Sequence, residues 1–295
     1  MKTSLDCIPC FTRQALDAAR MVSDSPAVHE EIVRRVMSMA ARMDFSQPPP
    51  VVGQKIHRII RVLTGVDDPY RQVKDRFNRF ALELYPGMKR RIACSADRFE
   101  TAVRLAIAGN VIDLGLKSEV SEAEVERAIE EALAAPLPTE SIVGLRESIA
   151  QADDILYIAD NAGEIVFDRL LIEELLPKRV TVAVRGHAVL NDATRADAEA
   201  AGLLDMVEVI DTDSDAPGTV LTDCSDEFLE RFAHADLVLA KGQGNYETLS
   251  DADAEVFFLL KAKCEVIAED IGCEPGSVVV RRNRGRERAA SNVTE

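Results

Sequence analysis

Four residues pose the chemical question: Asp160 and Asn161 in a DNAGE string, Asp192 after Asn191, and Lys241 at the head of KGQGNYE. Each closely follows a short apolar run, so each would project near the carboxyl end of a β-strand, where open α/β sheets bind ligands. Hard cations such as Mg²⁺ take oxygen from carboxylates and amide carbonyls, and they retain waters that a phosphate oxygen can displace. A lysine beside Gly242 and Gly244 offers an anion a point charge and a closely approaching backbone. Together these types suit metal-assisted chemistry on a phosphate. Singly they say less. Asn161 can cap the following helix while Asp160 makes a turn, slightly the stronger reading of that string alone. Asp192 alone is better read as a helix N-cap, and Lys241 alone divides evenly between a phosphate contact and a solvated turn.

Arg185, Glu164 and Asn110 form a second rank, for substrate or outer contacts. Arg185 ends the second apolar run and Glu164 closes DNAGE; Asn110, in AGNVIDLG with Asp113, is locally better read as a helix C-cap with Gly109. His187 is a lone loop histidine and is read as a surface residue. Asp211, Asp213 and Asp215 fail as a calcium loop, which wants glycine and an acid where the chain has Ala216 and Thr222. They fail equally as an aspartyl-phosphate string, which wants Thr or Val in place of Asp215. Cys7 and Cys10 have a metal or redox spacing, but a zinc motif needs a second ligand pair and none is evident. The other four cysteines are scattered.

The elements that must position these residues change character near residue 150. Upstream, the pattern is helical. Ser25 and Pro26 open a helix whose apolar face recurs through Val28, Ile32, Val36 and Met43, before QPPP ends it. Further helical patterns cover about 52–63, 69–84, 96–108, 122–134 and 140–151. From 154 onward, apolar runs alternate with helical stretches, the pattern of a parallel sheet with crossover helices. Runs at 154–159, 180–184, 206–210 and 236–240 are the clearest strands, with further ones at 256–260 and 277–280. The expected fold is α/β: a helical N-terminal region, 1–150, packed on a Rossmann-like, mostly parallel sheet domain, 151–282, with a flexible charged tail at 283–295.

Composition narrows the partners. The 295 residues carry 35 Lys and Arg against 51 Asp and Glu, a formal charge of -16, so the mean field repels nucleic acid and anionic membrane. A phosphate substrate then needs a local positive site or a metal. No run approaches the ~20 apolar residues of a membrane span, and MKTSLDCIPCFTRQ lacks the apolar core of a secretory signal. The expected setting is cytoplasmic, with a small phosphorylated metabolite as partner and the oligomeric state undetermined.

The ordered set of strings resembles a known family. CIPC near the N-terminus, GNVID at 109–113, DNAGE at 160–164, VRG with ND across 184–192, SDAPGT at 214–219 and KGQGNYE at 241–247 are similar to the domain-of-unknown-function-89 proteins, described as metal-dependent damage-control phosphatases. The resemblance implies a helical region on a Rossmann-like domain, a bound divalent cation (Mg²⁺, Mn²⁺, Co²⁺ or Ni²⁺) and phosphomonoester hydrolysis. It puts metal ligands at Asp160, Asn161 and Asp192 and the phosphate-binding lysine at Lys241. The C-x-x-C pair looks like the bacterial and archaeal subgroup.

The sequence therefore supports a metal-dependent phosphatase of small phosphate monoesters, such as sugar phosphates or damaged phosphometabolites. Asp160 would act as ligand or nucleophile, and Lys241 would meet the phosphoryl group. Two rivals stand beside it: an S-adenosylmethionine-dependent carboxyl methyltransferase, and a non-catalytic metal or redox scaffold built around the C-x-x-C pair. The string DNAGE in place of a glycine-rich loop counts against the first.

Overall fold

Six strands make one sheet: β1 (Asp154–Ile158), β2 (Arg179–Val184), β3 (Glu208–Asp211), β4 (Leu237–Lys241), β5 (Val256–Lys261) and β6 (Val278–Arg282). They appear in a computed structural model that describes residues 1–109 and 122–283, less the side chains of 122–125 and 128. The spatial order is β3-β2-β1-β4-β5-β6; the first five strands run parallel and β6 is antiparallel to β5. Strand order reverses between β1 and β4, which opens a crevice at their carboxyl ends.

The central strands are apolar apart from their end residues Asp154 and Lys241, because both of their faces are covered. Ile155 and Tyr157 of β1 and Leu237 and Leu239 of β4 enter one core. Leu156 and Ile158, with Val238 and Ala240, enter the other. The period of two thus assigns every strand residue to a layer.

Among the described residues seven α-helices precede the sheet: α1 (Cys7–Val22), α2 (Pro26–Ala40), α3 (Pro49–Thr64), α4 (Arg71–Cys94), α5 (Arg98–Ala108), α6 (Glu122–Ala134) and α7 (Thr139–Gln151). Five more lie between strands: α8 (Glu164–Leu175), α9 (Arg195–Ala200), α10 (Asp226–His234), α11 (Gly242–Leu249) and α12 (Glu265–Ile271). The helical half is not one unit. Helices α1 to α3 share a core of their own around Phe11, Ile32, Val36, Val52, Ile56 and Ile60. Helices α4 to α7 instead join the core of α8 and the sheet, through Phe77, Leu105, Ile129 and Leu145. The division near residue 150 marks a change of secondary structure, and the hydrophobic core runs across it.

Helices α1, α11 and α12 add to the sequence reading. The buried stripe of α1 is Phe11, Ala15, Ala18 and Ala19, mostly too small to register as an apolar face. Helix α11 begins on Gly242, a residue that ordinarily signals a turn. Among the described residues no helix is long and apolar enough to cross a membrane.

One buried polar cluster ties α4 to the loops after β1 and β2. Asn78 accepts from Gly163 N–H at 2.7 Å and donates to Asp197 at 2.9 Å. Asp197 also pairs with Lys74 at 2.9 Å and accepts from the backbone and hydroxyl of Thr194, capping α9. Lys74 and Asp197 are both fully buried. Burial alone would raise the Asp197 carboxyl, but Lys74 and Thr194 outweigh it and hold the carboxyl below its usual value. Its stabilising contribution is therefore present above the unfolded carboxylate pKa and fades as pH falls through the lower folded value. Lys74→Met, which strands that charge, should cost about 3–5 kcal/mol. Chemical denaturation at neutral pH checks this; a variant as stable as wild type would remove the pair from the fold's support.

Candidate active site at the strand switch

The loops after β1 and β2 lie against each other. Ala193 N–H donates to Asp160 O at 2.7 Å and Ala162 N–H to Asn191 O at 2.8 Å, so Asn161 and Asp192 face one another as an isolated antiparallel bridge. Two loops from neighbouring strands thereby deliver Asp160, Asn161 and Asp192 to one wall of a cavity of about 280 Å³. Helices α1 and α3 supply the opposite wall, with Phe11, Gln14, Pro49, Pro50 and Gly53. The three-helix unit thus covers the carboxyl ends of the strands.

Charge is concentrated here. Asp160 is 9% exposed and Asp192 3%. Burial, then Asp192 and Glu164, push the Asp160 carboxyl well above its usual range, and Arg185 and Lys263 only partly counter them. Asn161 aims both amide hydrogens at carboxylates, donating to Asp160 at 2.8 Å and to Glu164 at 2.9 Å. Its carbonyl oxygen is the end left for a cation. Among the described residues no three His, Cys, Asp or Glu side chains form a metal cage. Two carboxylates and one amide oxygen are a smaller set, which suits a hard cation that keeps waters. The donors fit such an ion, and the repulsion between the acids gives it a reason to bind.

The chain matches the family described as damage-control phosphatase ARMT1-like domain over residues 3–279. The chain belongs to that family. A damage-control phosphatase of Pyrococcus horikoshii is 36% identical over 295 residues, covering 96% of this chain and 99% of the relative. One of Archaeoglobus fulgidus is 33% identical, covering 95% and 99%. The crystal structure of a DUF89 family protein from Pyrococcus horikoshii superposes with a TM-score of 0.87 at 33% identity, over 96% of this chain and all of that one. The family resemblance drawn from the ordered strings is thus correct.

The remaining candidates of this family member stand behind the wall. Lys241 is fully buried; its ammonium donates to Ala106 O at 2.8 Å, Glu164 at 2.7 Å and Asp168 at 2.6 Å. Three donors are spent on three acceptors, so Lys241 stands behind the cavity lining and not on it, where a phosphate contact is expected. The reason is the strand period: position 241 shares the face of Leu237 and Leu239, toward α5 and α8. Glu164, 1% exposed, is consumed by Lys241 and Asn161. Arg185 is buried too, donating to Asp192 at 2.7 Å, Asn245 at 3.1 Å and Thr219 at 3.4 Å, and standing 3.7 Å from Asp160. Both stand behind the cavity lining, where they brace the acids, and not on it, where a substrate contact is expected. Asn110, with most of GNVID, lies outside the described residues, as does the tail from 284.

Several residues on or near the wall escaped the sequence reading. Lys263 is the one lysine or arginine on the cavity wall among the described residues, and Cys10, Gln243 and Glu247 stand beside it. Lys263 follows β5 as Asp160 follows β1, so the strand-end rule had the signal. Thr219 and Asn245, inside quoted strings, hold Arg185 in place. Asp215 anchors its own loop to α3 through Gln54 and Arg58, both at 2.6 Å, and Arg61, which brings Pro217 to the cavity.

Two outcomes follow from this packing. Lys241→Ala leaves Glu164 and Asp168 buried without their cation and should lower stability by about 3–5 kcal/mol; an unchanged melt would return Lys241 to the solvated-turn reading. Gly242 has φ 77°, and an added Cβ would stand 1.9 Å from Asp160 Oδ2. Gly242→Ala should therefore displace that carboxylate and abolish divalent-cation binding in calorimetry, and wild-type affinity would show that Asp160 does not need its present position.

Proposed function

We propose that this protein is a divalent-metal-dependent phosphatase of small phosphate monoesters, such as sugar phosphates or damaged phosphometabolites, working in the cytoplasm. The observation that carries the reading is the convergence of Asp160, Asn161 and Asp192 on one cavity at the strand switch. Membership in a family of damage-control phosphatases supports it. Asp160, Asp192 and the Asn161 carbonyl would hold the cation, of which Mg²⁺, Mn²⁺, Co²⁺ and Ni²⁺ are the candidates. When bound, such an ion polarises a phosphoryl oxygen and makes water a better nucleophile.

The chain's own groups do the rest. Arg185 fixes Asp192 and offsets the paired acids at their buried side. Lys263, on the cavity wall, takes the phosphate-facing role first expected of Lys241, as a compact charge for the transferring group. A cavity of about 280 Å³ is at the small end of ligand sites, and Gln14 on its lining offers hydrogen bonds for sugar-like hydroxyls. Phe11, Pro49 and Pro50 cover it from above and limit water access.

A screen of phosphate esters against the four metals tests the reading. Phosphate release should appear with metal and vanish with EDTA, and Asp192→Asn should lose about two orders of magnitude or more in turnover. Full release by metal-free enzyme would rule the mechanism out.

A further inference from the structure

Glu247 lines the same cavity as Asp160, Asn161 and Asp192, one turn along α11 from Gln243. It is 8% exposed. Its carboxylate accepts one hydrogen bond, from the Gln243 amide at 2.9 Å, and no lysine, arginine or histidine side chain of the described residues pairs with it. A buried carboxyl that forms no ion pair keeps its proton into the neutral range. Burial pushes Glu247 up to about 7, against the Gln243 hydrogen bond and the Met1 ammonium, which donates to the Glu247 backbone carbonyl at 2.9 Å. The other ionisable groups that face it are Cys7 and Cys10 of α1 and, beyond Gln243, Lys263 and Cys264 of the loop after β5. Helix α3 presents Pro49, Pro50 and Gly53 to this cavity, none of which ionises. Burial first, then Cys264 and Glu247, raise the Cys10 thiol above its ordinary value, and burial also raises Cys7. Both thiols therefore stay neutral while Glu247 titrates.

Cleavage of an alkyl phosphate needs a proton at this place. As water oxygen bonds to phosphorus, the ester P–O bond breaks and its electron pair stays on the alcohol oxygen, an alkoxide too basic to leave unprotonated. We infer that Glu247 is the general acid of this site, giving its proton to the departing alcohol oxygen. The proton that the attacking water sheds passes to solvent or phosphate, and solvent reprotonates Glu247, so the cycle closes with one water consumed and alcohol and phosphate released. Asp160 and Asp192 would be committed to the cation, and Lys263 to the charge of the phosphoryl group. Glu247 is the wall group with a proton to transfer near neutral pH. The inference rests on the phosphatase reading above.

The test compares leaving groups. Glu247→Gln keeps the size of the side chain and its place beside Gln243. Its turnover on glycerol phosphate or a hexose phosphate should fall on the order of 100-fold. On 4-nitrophenyl phosphate, whose phenolate leaves without a proton, the loss should be only a few-fold. In wild type, turnover of the alkyl ester should decline as pH rises through the acid's pKa, and that limb should be missing in Glu247→Gln. Equal losses on both esters would make the residue structural, and no loss would remove it from the mechanism; either overturns the inference. Glu247→Asp, which retains a carboxyl on a shorter arm, should recover part of the alkyl-to-aryl ratio, and a failure to move that ratio would also count against it. Asp192→Asn in the same assay keeps the two readings apart: it should slow both esters alike, and full activity there would sink the site itself, whatever Glu247 does.

Discussion

Two buried carboxylates that repel each other, Asp160 and Asp192, set the terms for the rest of this molecule. Their side chains have lost most of their water, and Asp160 is driven toward its neutral form by burial, Asp192 and Glu164. Nothing in folding favours such a pair. It survives because Arg185 is tied between them from behind, held in turn by Thr219 and Asn245. Behind Asn161, the Lys241 ammonium fixes Glu164 and Asp168. Both cations are buried and fully engaged.

The helical regions serve that pair in two ways. Helices α4 and α9 clamp its loops through Lys74, Asn78 and Asp197, with Gly163 at φ 76° pressed on Phe77 so that its N–H reaches Asn78. Helices α1 and α3 roof the cavity, and α3 anchors the loop of Asp215. The first arrangement supplies rigidity and the second supplies shape, and they draw on two different hydrophobic cores. A site built this way holds its ligand geometry on rigid elements, which is what a reaction dominated by positioning and electrostatics requires.

Much of this was legible in the chain. The six apolar runs became the six strands, and the strand-end rule brought Asp160, Asn161 and Asp192 to one crevice. What failed was direction. Lys241 ends its strand beside the crevice, but counting by two from Leu237 and Leu239 points it under α8. Asn78 carried no local signal at all, because its partners Gly163 and Asp197 lie 85 and 119 residues away. Lys263 and Glu247 were overlooked because their helix and loop, α11 and the stretch after β5, looked like ordinary turns and packing. Period and position reveal which residues reach an edge; only the packed layers reveal which of them turn into the cavity.

The pair's repulsion also provides the most direct measurement. Thermal melts of metal-free protein, repeated with increasing Mg²⁺ or Mn²⁺, compare wild type with Asp160→Asn. If the acids are held apart from their natural counter-ion, the cation should raise the wild-type melting temperature in a saturable way and leave Asp160→Asn unmoved, while the metal-free variant melts no lower than metal-free wild type. An equal metal-induced rise in both proteins would place the cation elsewhere and contradict the assignment of Asp160 and Asp192 as its site.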